Sequence, residues 1–152
     1  ALMKIAVASD HAGFILKQGI VAYLADNDIE YKDFGCGPGE SVDYVDYGAR
    51  TAEAVLSGQF DRAILVCGTG MGMAMVANKF RGIRATACWS EYTAEMSRRH
   101  NDSNCLTLGG RVIALPEALK ILQVWLKTGF DGGRHERRID KLKAIEDRNF
   151  VY

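Results

Sequence analysis

The sequence predicts a three-layer α/β fold, in which a doubly wound sheet of five parallel strands is followed by a C-terminal helical arm. Apolar, strand-like runs alternate with segments of helical period along most of the 152 residues, as in proteins built from β-α units. Residues 63–67 are apolar at every position, which is typical of a central strand covered on both faces. Hydrophobic residues make up 48% of the chain and charged residues 25%, so a folded globular domain is expected.

The first part of the chain supplies two strand–helix pairs before that central strand. Residues 4–8 form a short apolar run, and residues 14–24 repeat apolar side chains at helical spacing. Residues 30–34 alternate in character, as a partly exposed strand does, and a glycine-rich loop follows them. Asp46 is placed to cap a helix that continues to Gly58.

The second part repeats the alternation. The expected elements are, in order, a helix over 71–79, a strand over 84–89, a helix over 92–100 and a strand over 105–108. Pro116 opens a further helix, because the fixed φ of proline suits a first turn and its missing N–H has no acceptor there. Gly129 marks the end of that helix.

The last residues are predicted to form an arm. We divide the chain into a domain, residues 1–131, and an arm, residues 132–152. Gly132 and Gly133 form a flexible joint, and residues 134–145 form a charged helix with a narrow apolar stripe. Because such a stripe needs a surface to cover it, the arm is expected to pack on a partner subunit. Packing on its own domain is the alternative.

Charge and cysteine spacing exclude several classes of protein. Lys and Arg total 19, and Asp and Glu also total 19, which argues against a nucleic-acid or anionic-membrane binder that works by bulk charge. The longest uncharged run is too short and too rich in glycine to span a membrane. The four cysteines form no Cys-x-x-Cys pair, so no zinc or redox motif is indicated, and a reduced, cytoplasmic protein is expected.

One edge of the predicted sheet gathers residues that can carry out chemistry. Ligands of open parallel sheets bind beyond the carboxyl ends of the strands. The residues that follow the first, third and fifth strands include Asp10 and His11, the turn from Cys67 to Gly72, and Arg111. Acid, imidazole, thiol, glycine-rich turn and guanidinium are therefore expected at the same edge.

The turn with the sequence CGTGMG, residues 67–72, joins the central strand to a helix. Its glycines let backbone N–H groups approach an anion. The Cys67 thiol at the start of that helix is a candidate base or nucleophile. A packing turn with a buried structural cysteine is the alternative. The spacing matches neither a Walker loop nor the Gly-x-Gly-x-x-Gly dinucleotide turn.

Four motifs occur in order along the chain: SDHAG at residues 9–13, CGTGMG at 67–72, RHND at 99–102 and GRH at 133–135. Together they resemble the type B ribose-5-phosphate isomerases, which belong to a wider family that includes galactose-6-phosphate and allose-6-phosphate isomerases. The resemblance extends over residues 3–149. It implies an aldose–ketose isomerase, with ribose 5-phosphate as the first candidate substrate. It also implies no metal or cofactor and a homodimer or homotetramer.

The resemblance implies roles for matching positions. Cys67 is the base that moves a proton between carbons 1 and 2 through an enediolate. His100 protonates the ring oxygen and opens the furanose, and Thr69 belongs to the cradle for the enediolate oxygens. The implied substrate-binding positions are Asp10, His11, Gly68, Gly70, Met71, Gly72, Asn101, Arg111, Arg134 and Arg138.

The sequence leaves the substrate and one turn open. Allose 6-phosphate and galactose 6-phosphate remain alternatives to ribose 5-phosphate. Members of the family commonly have proline where this chain has Val45, and the change is expected to loosen a turn near the site. Two alternatives from other classes are a nucleotide-binding regulatory module and a metal-dependent isomerase that uses Asp10, His11 and His100.

Overall fold

Residues 2–151 are described by the computed structural model, which contains five strands and six α-helices in strict alternation until the last two helices. The strands are β1 (Lys4–Ser9), β2 (Glu30–Asp33), β3 (Arg62–Cys67), β4 (Ala85–Ala87) and β5 (Cys105–Gly109). The helices are α1 (Phe14–Asp26), α2 (Tyr44–Leu56), α3 (Met71–Ala77), α4 (Glu91–Arg99), α5 (Leu115–Lys127) and α6 (Arg134–Asn149).

All paired strands run parallel, in the order β2-β1-β3-β5-β4. The predicted doubly wound α/β class is therefore confirmed. β3 is the middle strand, and its residues from Ala63 to Val66 are at most 1% exposed. Ile64 and Val66 pack on one face of the sheet, whereas Leu65 and Cys67 pack on the other, as the alternation of side chains along a strand requires.

Two apolar cores cover the two faces. One lies between the sheet and helices α1, α4 and α5, with Trp125 fully buried in it. The other lies between the sheet and helices α2 and α3, where Met73 is fully buried. This second core is the one that contains Cys67. Among residues 2–151 no helix is long and apolar enough to cross a membrane.

Some bounds differ from those expected. Helix α2 begins at Tyr44 with Asp43 as its N-cap residue, so Asp46 lies inside the first turn and does not cap the helix. A carboxylate in the first turn is still favourable, because the N–H groups there carry partial positive charge. β4 is shorter than expected at both ends; at its start, the amide of Arg84 donates to the side-chain oxygen of Asn104 at 2.7 Å.

Val45 occupies the first turn of α2. N–H groups in a first turn have no intrahelical acceptor, so proline and valine are both compatible with that position. The turn is closed by a hydrogen bond from the amide of Asp46 to the carbonyl of Asp43 at 3.2 Å. The loosening expected from the loss of proline stays a prediction.

Helix α6 contacts its own domain on one side. His135 and Ile139 are buried, whereas Leu142 and Ile145 are each 49% exposed. Near its C-terminal end, Asp147 forms an ion pair with Arg81 at 3.1 Å. Leu142 and Ile145 are thus each about half uncovered, and the packing of the stripe on a partner subunit stays a prediction.

Candidate active site

Cys67 ends β3 directly beneath the turn that starts α3. Its Sγ accepts a hydrogen bond from the amide of Gly70 at 3.2 Å, and the residue is 4% exposed. Gly70 has a φ of 84°, a left-handed conformation that glycine adopts without a steric penalty. A donor aimed at the sulfur stabilises the thiolate, which is the form that accepts a proton.

The sulfur lines a cavity of about 370 Å³ at the carboxyl edge of the sheet. The residues that share this cavity are Asp10, Tyr44, Gly68, Thr69, Gly72 and Met75. Asp10 is 6% exposed, and its Oδ1 accepts a hydrogen bond from the amide of Gly13 at 3.0 Å. The carboxylate is therefore held at the cavity wall. Sequence reasoning missed Tyr44 because it comes from α2, and the only pointer was the turn at residues 43–46.

The glycine-rich turn rests on the backbone of β5. Thr107 donates its hydroxyl hydrogen to the carbonyl of Gly70 at 2.7 Å. A Cβ at Gly70 would lie 3.1 Å from the backbone of Leu108, and a Cβ at Gly109 would lie 2.9 Å from that of Thr69. Glycine is required at both positions by this close approach, which fixes the turn beneath the sulfur.

Two amides of the turn are already engaged within it. Besides the bond from Gly70 to the sulfur, the amide of Met71 donates to Oγ1 of Thr69 at 3.2 Å. Since the Thr69 oxygen accepts this bond, its hydroxyl hydrogen remains available for a ligand. Thr69 and Met71 are both exposed, so the outer side of the turn faces solvent.

His11 and Arg111 lie on loops that follow β1 and β5 at this edge. Nδ1 of His11 accepts a hydrogen bond from the amide of Val42 at 3.2 Å, so the neutral ring carries its proton on Nε2. The amide of Arg111 donates to the carbonyl of Gly68 at 3.0 Å. A Cβ at Gly68 would lie 3.7 Å from Nη1 of Arg111. We call Asp10, His11, Arg111 and the 67–72 turn the Cys67 half-site.

His100 lies at the opposite edge of the sheet. It follows α4, and the turn of residues 100–104 leads into the start of β5, whereas Cys67 stands at the end of β3. In a parallel sheet these positions belong to the amino and carboxyl edges, so one chain does not bring His100 to Cys67. The metal-dependent alternative needs His100 beside Asp10 and His11, and this placement separates them in the same way.

A second cavity, of about 520 Å³, surrounds His100. It is lined by His100, Asn101, Arg134, His135, Arg138, Ile139, Lys141 and Leu142, none of which lines the Cys67 cavity. Burial, then the His100 imidazole, then the guanidinium groups of Arg134 and Arg138, lower the pKa of His135. A cavity lined by the guanidinium groups of Arg134 and Arg138 suits an anionic group such as a phosphate. We call His100, Asn101, Arg134, His135 and Arg138 the His100 half-site.

Ligand atoms of His100, Asp131 and His135 lie within 4.8 Å of one another. The two imidazole planes are nearly parallel, at 9°, so their in-plane lone pairs run side by side and do not converge on one point. Asp131 is moreover paired with Arg99 at 3.1 Å. This arrangement does not fit the tetrahedral ligand geometry that a bound zinc ion requires.

Moving a proton between neighbouring carbons of a sugar requires a base, donors for a developing oxyanion and cations for a charged tail. The two half-sites contain groups of each kind, as an aldose–ketose isomerase, an intramolecular oxidoreductase, requires. Residues 5–142 match the family described as Ribose/Galactose Isomerase, and the chain belongs to that family.

Individual relatives are similar over nearly their whole length. Ribose-5-phosphate isomerase B of Escherichia coli is 46% identical, over 97% of this chain and 99% of the relative. A 4-deoxy-4-sulfo-D-erythrose isomerase of a Clostridium species is 42% identical, over 96% and 92%. The solved structure of Clostridium thermocellum ribose-5-phosphate isomerase B superposes with a TM-score of 0.95 at 51% identity, over 96% of this chain and 99% of that one.

Proposed function

We propose that this chain interconverts ribose 5-phosphate and ribulose 5-phosphate, with Cys67 as the base. The observation that carries the proposal is the hydrogen bond from Gly70 to the Cys67 sulfur, in a cavity shared with Asp10 and Thr69. The thiolate removes the proton from carbon 2 of the open-chain aldose and returns it to carbon 1, while the hydroxyl proton of oxygen 2 passes to oxygen 1. Carbon 2 is thereby oxidised and carbon 1 reduced, so no cofactor is part of the proposal.

The enediolate between these two steps carries negative charge on oxygen, which the turn is built to stabilise. Because the amides of Gly70 and Met71 are engaged with the sulfur and with Thr69, they act by placing the base and the threonine. The proposed donors to the enediolate are then the Thr69 hydroxyl and the amides of Gly68 and Gly72. Removing one such donor raises a transition-state barrier by about 3 to 4 kcal/mol.

A second copy of the chain completes the site in this proposal. Since His100 and Cys67 lie at opposite edges of the sheet, the His100 half-site of one subunit must face the Cys67 half-site of another. Exposed apolar side chains flank both, with Met71 63% and Met75 66% exposed on one side and Leu142 49% exposed on the other. The functional unit is thus a homodimer, or a homotetramer made from such dimers.

The shared site assigns the remaining groups. His100 protonates the ring oxygen and opens the furanose, and Asn101 contacts the enediolate. The phosphate lies between Arg111 of one subunit and Arg134 and Arg138 of the other, since planar guanidinium groups bind phosphate oxygens in pairs. The four cysteines are free, and a reducing, cytoplasmic location forms part of the proposal.

A substrate panel tests the proposal. Purified protein is assayed with ribose 5-phosphate, allose 6-phosphate, galactose 6-phosphate, 4-deoxy-4-sulfo-D-erythrose and the free sugars. We expect kcat/KM for ribose 5-phosphate to exceed that for each other compound by at least about tenfold, because each lost contact with the chain length or the phosphate costs about 1 to 3 kcal/mol. A higher value for any other compound would replace ribose 5-phosphate as the substrate.

A further inference from the structure

Two arginines converge on the carboxylate of Asp102, one on each oxygen. Nη1 of Arg98 lies 2.9 Å from Oδ1, and Nη2 of Arg84 lies 3.2 Å from Oδ2. The side chain of Arg98 is 6% exposed and that of Arg84 is 18% exposed, whereas that of Asp102 is 37% exposed, so the two guanidinium groups approach a partly exposed carboxylate from the buried side. Charge-assisted hydrogen bonds of this kind fix geometry as well as add stability.

The same arginines bind the backbone of the turn that carries His100 and Asn101. Nε of Arg84 donates to the carbonyl of Asn101 at 3.0 Å and to that of Asp102 at 3.1 Å. Arg98 donates to the carbonyl of Ser103. The turn is therefore held through its main chain and through one carboxylate at the same time.

Asp102 itself has a φ of 48°. A residue with a Cβ rarely adopts this left-handed conformation unless the surroundings impose it, although aspartate and asparagine tolerate it better than others. Arg98 extends the restraint, because its Nε donates to the carbonyl of Thr128 at 3.0 Å, at the end of α5. The chain continues from there to the arm, where His135 stacks on His100.

We propose that Asp102 is a positioning residue for the isomerase reaction. Held by Arg84 and Arg98, it fixes the orientation of the His100–Asn101 turn, so that these two side chains can face the substrate. The inference rests on the proposed function, in which His100 and Asn101 act on the sugar. Asp102 itself lines neither cavity, so it acts through its neighbours and not by touching the substrate.

The decisive variant is Asp102→Asn, which keeps the shape and the tolerance of positive φ but turns one carboxylate oxygen into an NH₂ group that cannot accept from arginine. Arg84→Lys is a second variant that keeps the positive charge and loses the planar set of donors. Glu30→Gln is the matched control, since it removes one carboxylate charge from a surface pair with Lys4, on the outer strand β2 away from β5.

Two readouts are combined. The chain has three histidines, so their ring protons are resolved by NMR. We expect the His100 and His135 resonances of Asp102→Asn to move while those of His11 stay in place, and kcat for ribose 5-phosphate to fall about tenfold or more, with KM changed less than about threefold. Arg84→Lys is expected to change both readouts in the same direction, and Glu30→Gln to change neither.

Wild-type resonances, or wild-type kcat, in folded Asp102→Asn would overturn the proposal. If Asp102→Asn does not fold, wild-type resonances or wild-type kcat in Arg84→Lys would overturn the proposal instead. Global instability without selective movement of the His100 and His135 resonances would make the clamp purely structural, which also overturns it. A wild-type protein that does not isomerise ribose 5-phosphate would defeat the proposed function instead, and the NMR readout would still report on the clamp.

Discussion

The imidazole rings of His100 and His135 stack face to face, with centroids 4.1 Å apart and 9° between their planes. One ring follows helix α4 and the other belongs to the first turn of α6, so the contact ties the arm to the turn that holds the proposed ring-opening acid. Two cationic rings at this distance would repel each other. Protonation is therefore the natural way to disturb the contact.

The first prediction concerns pH and stability. The pKa of His135 is lowered in the folded protein, whereas the unfolded chain retains an ordinary value of about 6.5. As pH falls through that value the unfolded state takes up the proton first, so the free energy of unfolding decreases. Urea unfolding between about pH 7.5 and pH 5.5 measures this dependence. His135→Gln should show a flatter curve, and equal curves for the two proteins would contradict the assignment.

The second prediction concerns the base. Cys67→Ala and Cys67→Ser should lower kcat by at least about a hundredfold, because proton transfer by a positioned group contributes about 10² to 10⁴ in rate. Cys36→Ala is the matched control, since Cys36 is 2% exposed against 4% for Cys67 and lies on a loop after β2. Circular dichroism checks that all three fold. An alanine variant with unchanged turnover would remove Cys67 from the mechanism.

The third prediction separates ring opening from proton transfer. Erythrose 4-phosphate cannot close to a furanose, because its 4-oxygen carries the phosphate. His100→Asn should therefore slow turnover of ribose 5-phosphate by about a hundredfold or more while slowing any turnover of the four-carbon substrate far less. Stopped assays of product with both substrates measure the ratio. Equal losses would mean that His100 does not open the ring.

The fourth prediction tests the shared site. Cys67→Ala and His100→Asn proteins, each nearly inactive, are mixed and allowed to exchange subunits. In a mixed dimer one site carries both defects and the other carries neither, so activity should recover to about a quarter of wild type with random pairing. If each site were instead formed within a single chain, no activity would be recovered. Mixing each variant with itself provides the control.

The fifth prediction uses two glycines with nearly the same backbone. Gly70 and Gly58 have φ values of 84° and 86°, but a Cβ would meet the backbone of Leu108 only at Gly70, and nothing within 4 Å at Gly58. Gly58→Ala should cost about 1 kcal/mol from strain alone. Gly70→Ala should cost about 1 to 3 kcal/mol more and should also lower kcat, because the amide on the sulfur shifts. Equal free energies of unfolding for Gly58→Ala and Gly70→Ala would contradict the close packing of the turn on Leu108.

The alternation of apolar runs was sufficient to predict the fold class. The middle strand was found from residues 63–67 because no polar side chain interrupts them. The bounds of β4, an outer strand of the sheet, were harder to predict. The amide of Arg84 donates to the side chain of Asn104, a contact that no local sequence pattern indicates. The start of α2 was misplaced because two aspartates, Asp43 and Asp46, compete as its cap.

The sequence predicted the Cys67 half-site more fully than the His100 half-site. Asp10, Cys67 and Arg111 lie at or just beyond the ends of parallel strands, and topology alone brings such residues to one edge. The role of His100 came from its resemblance to a family residue, and the structure places it at the other edge, before the start of β5. His135 was missed as a site residue because a stacking contact across 35 positions has no periodic signal.

In the proposed arrangement, β3 ends at one edge of the sheet and the His100 turn lies at the other. A single chain can therefore be folded without having a complete active site. A solitary polypeptide would be correctly folded yet inert, and turnover per chain would rise with concentration until association saturates. Dilution would then lower activity reversibly without any effector. A defective chain that pairs with an intact one would inactivate one of the two sites in each mixed dimer.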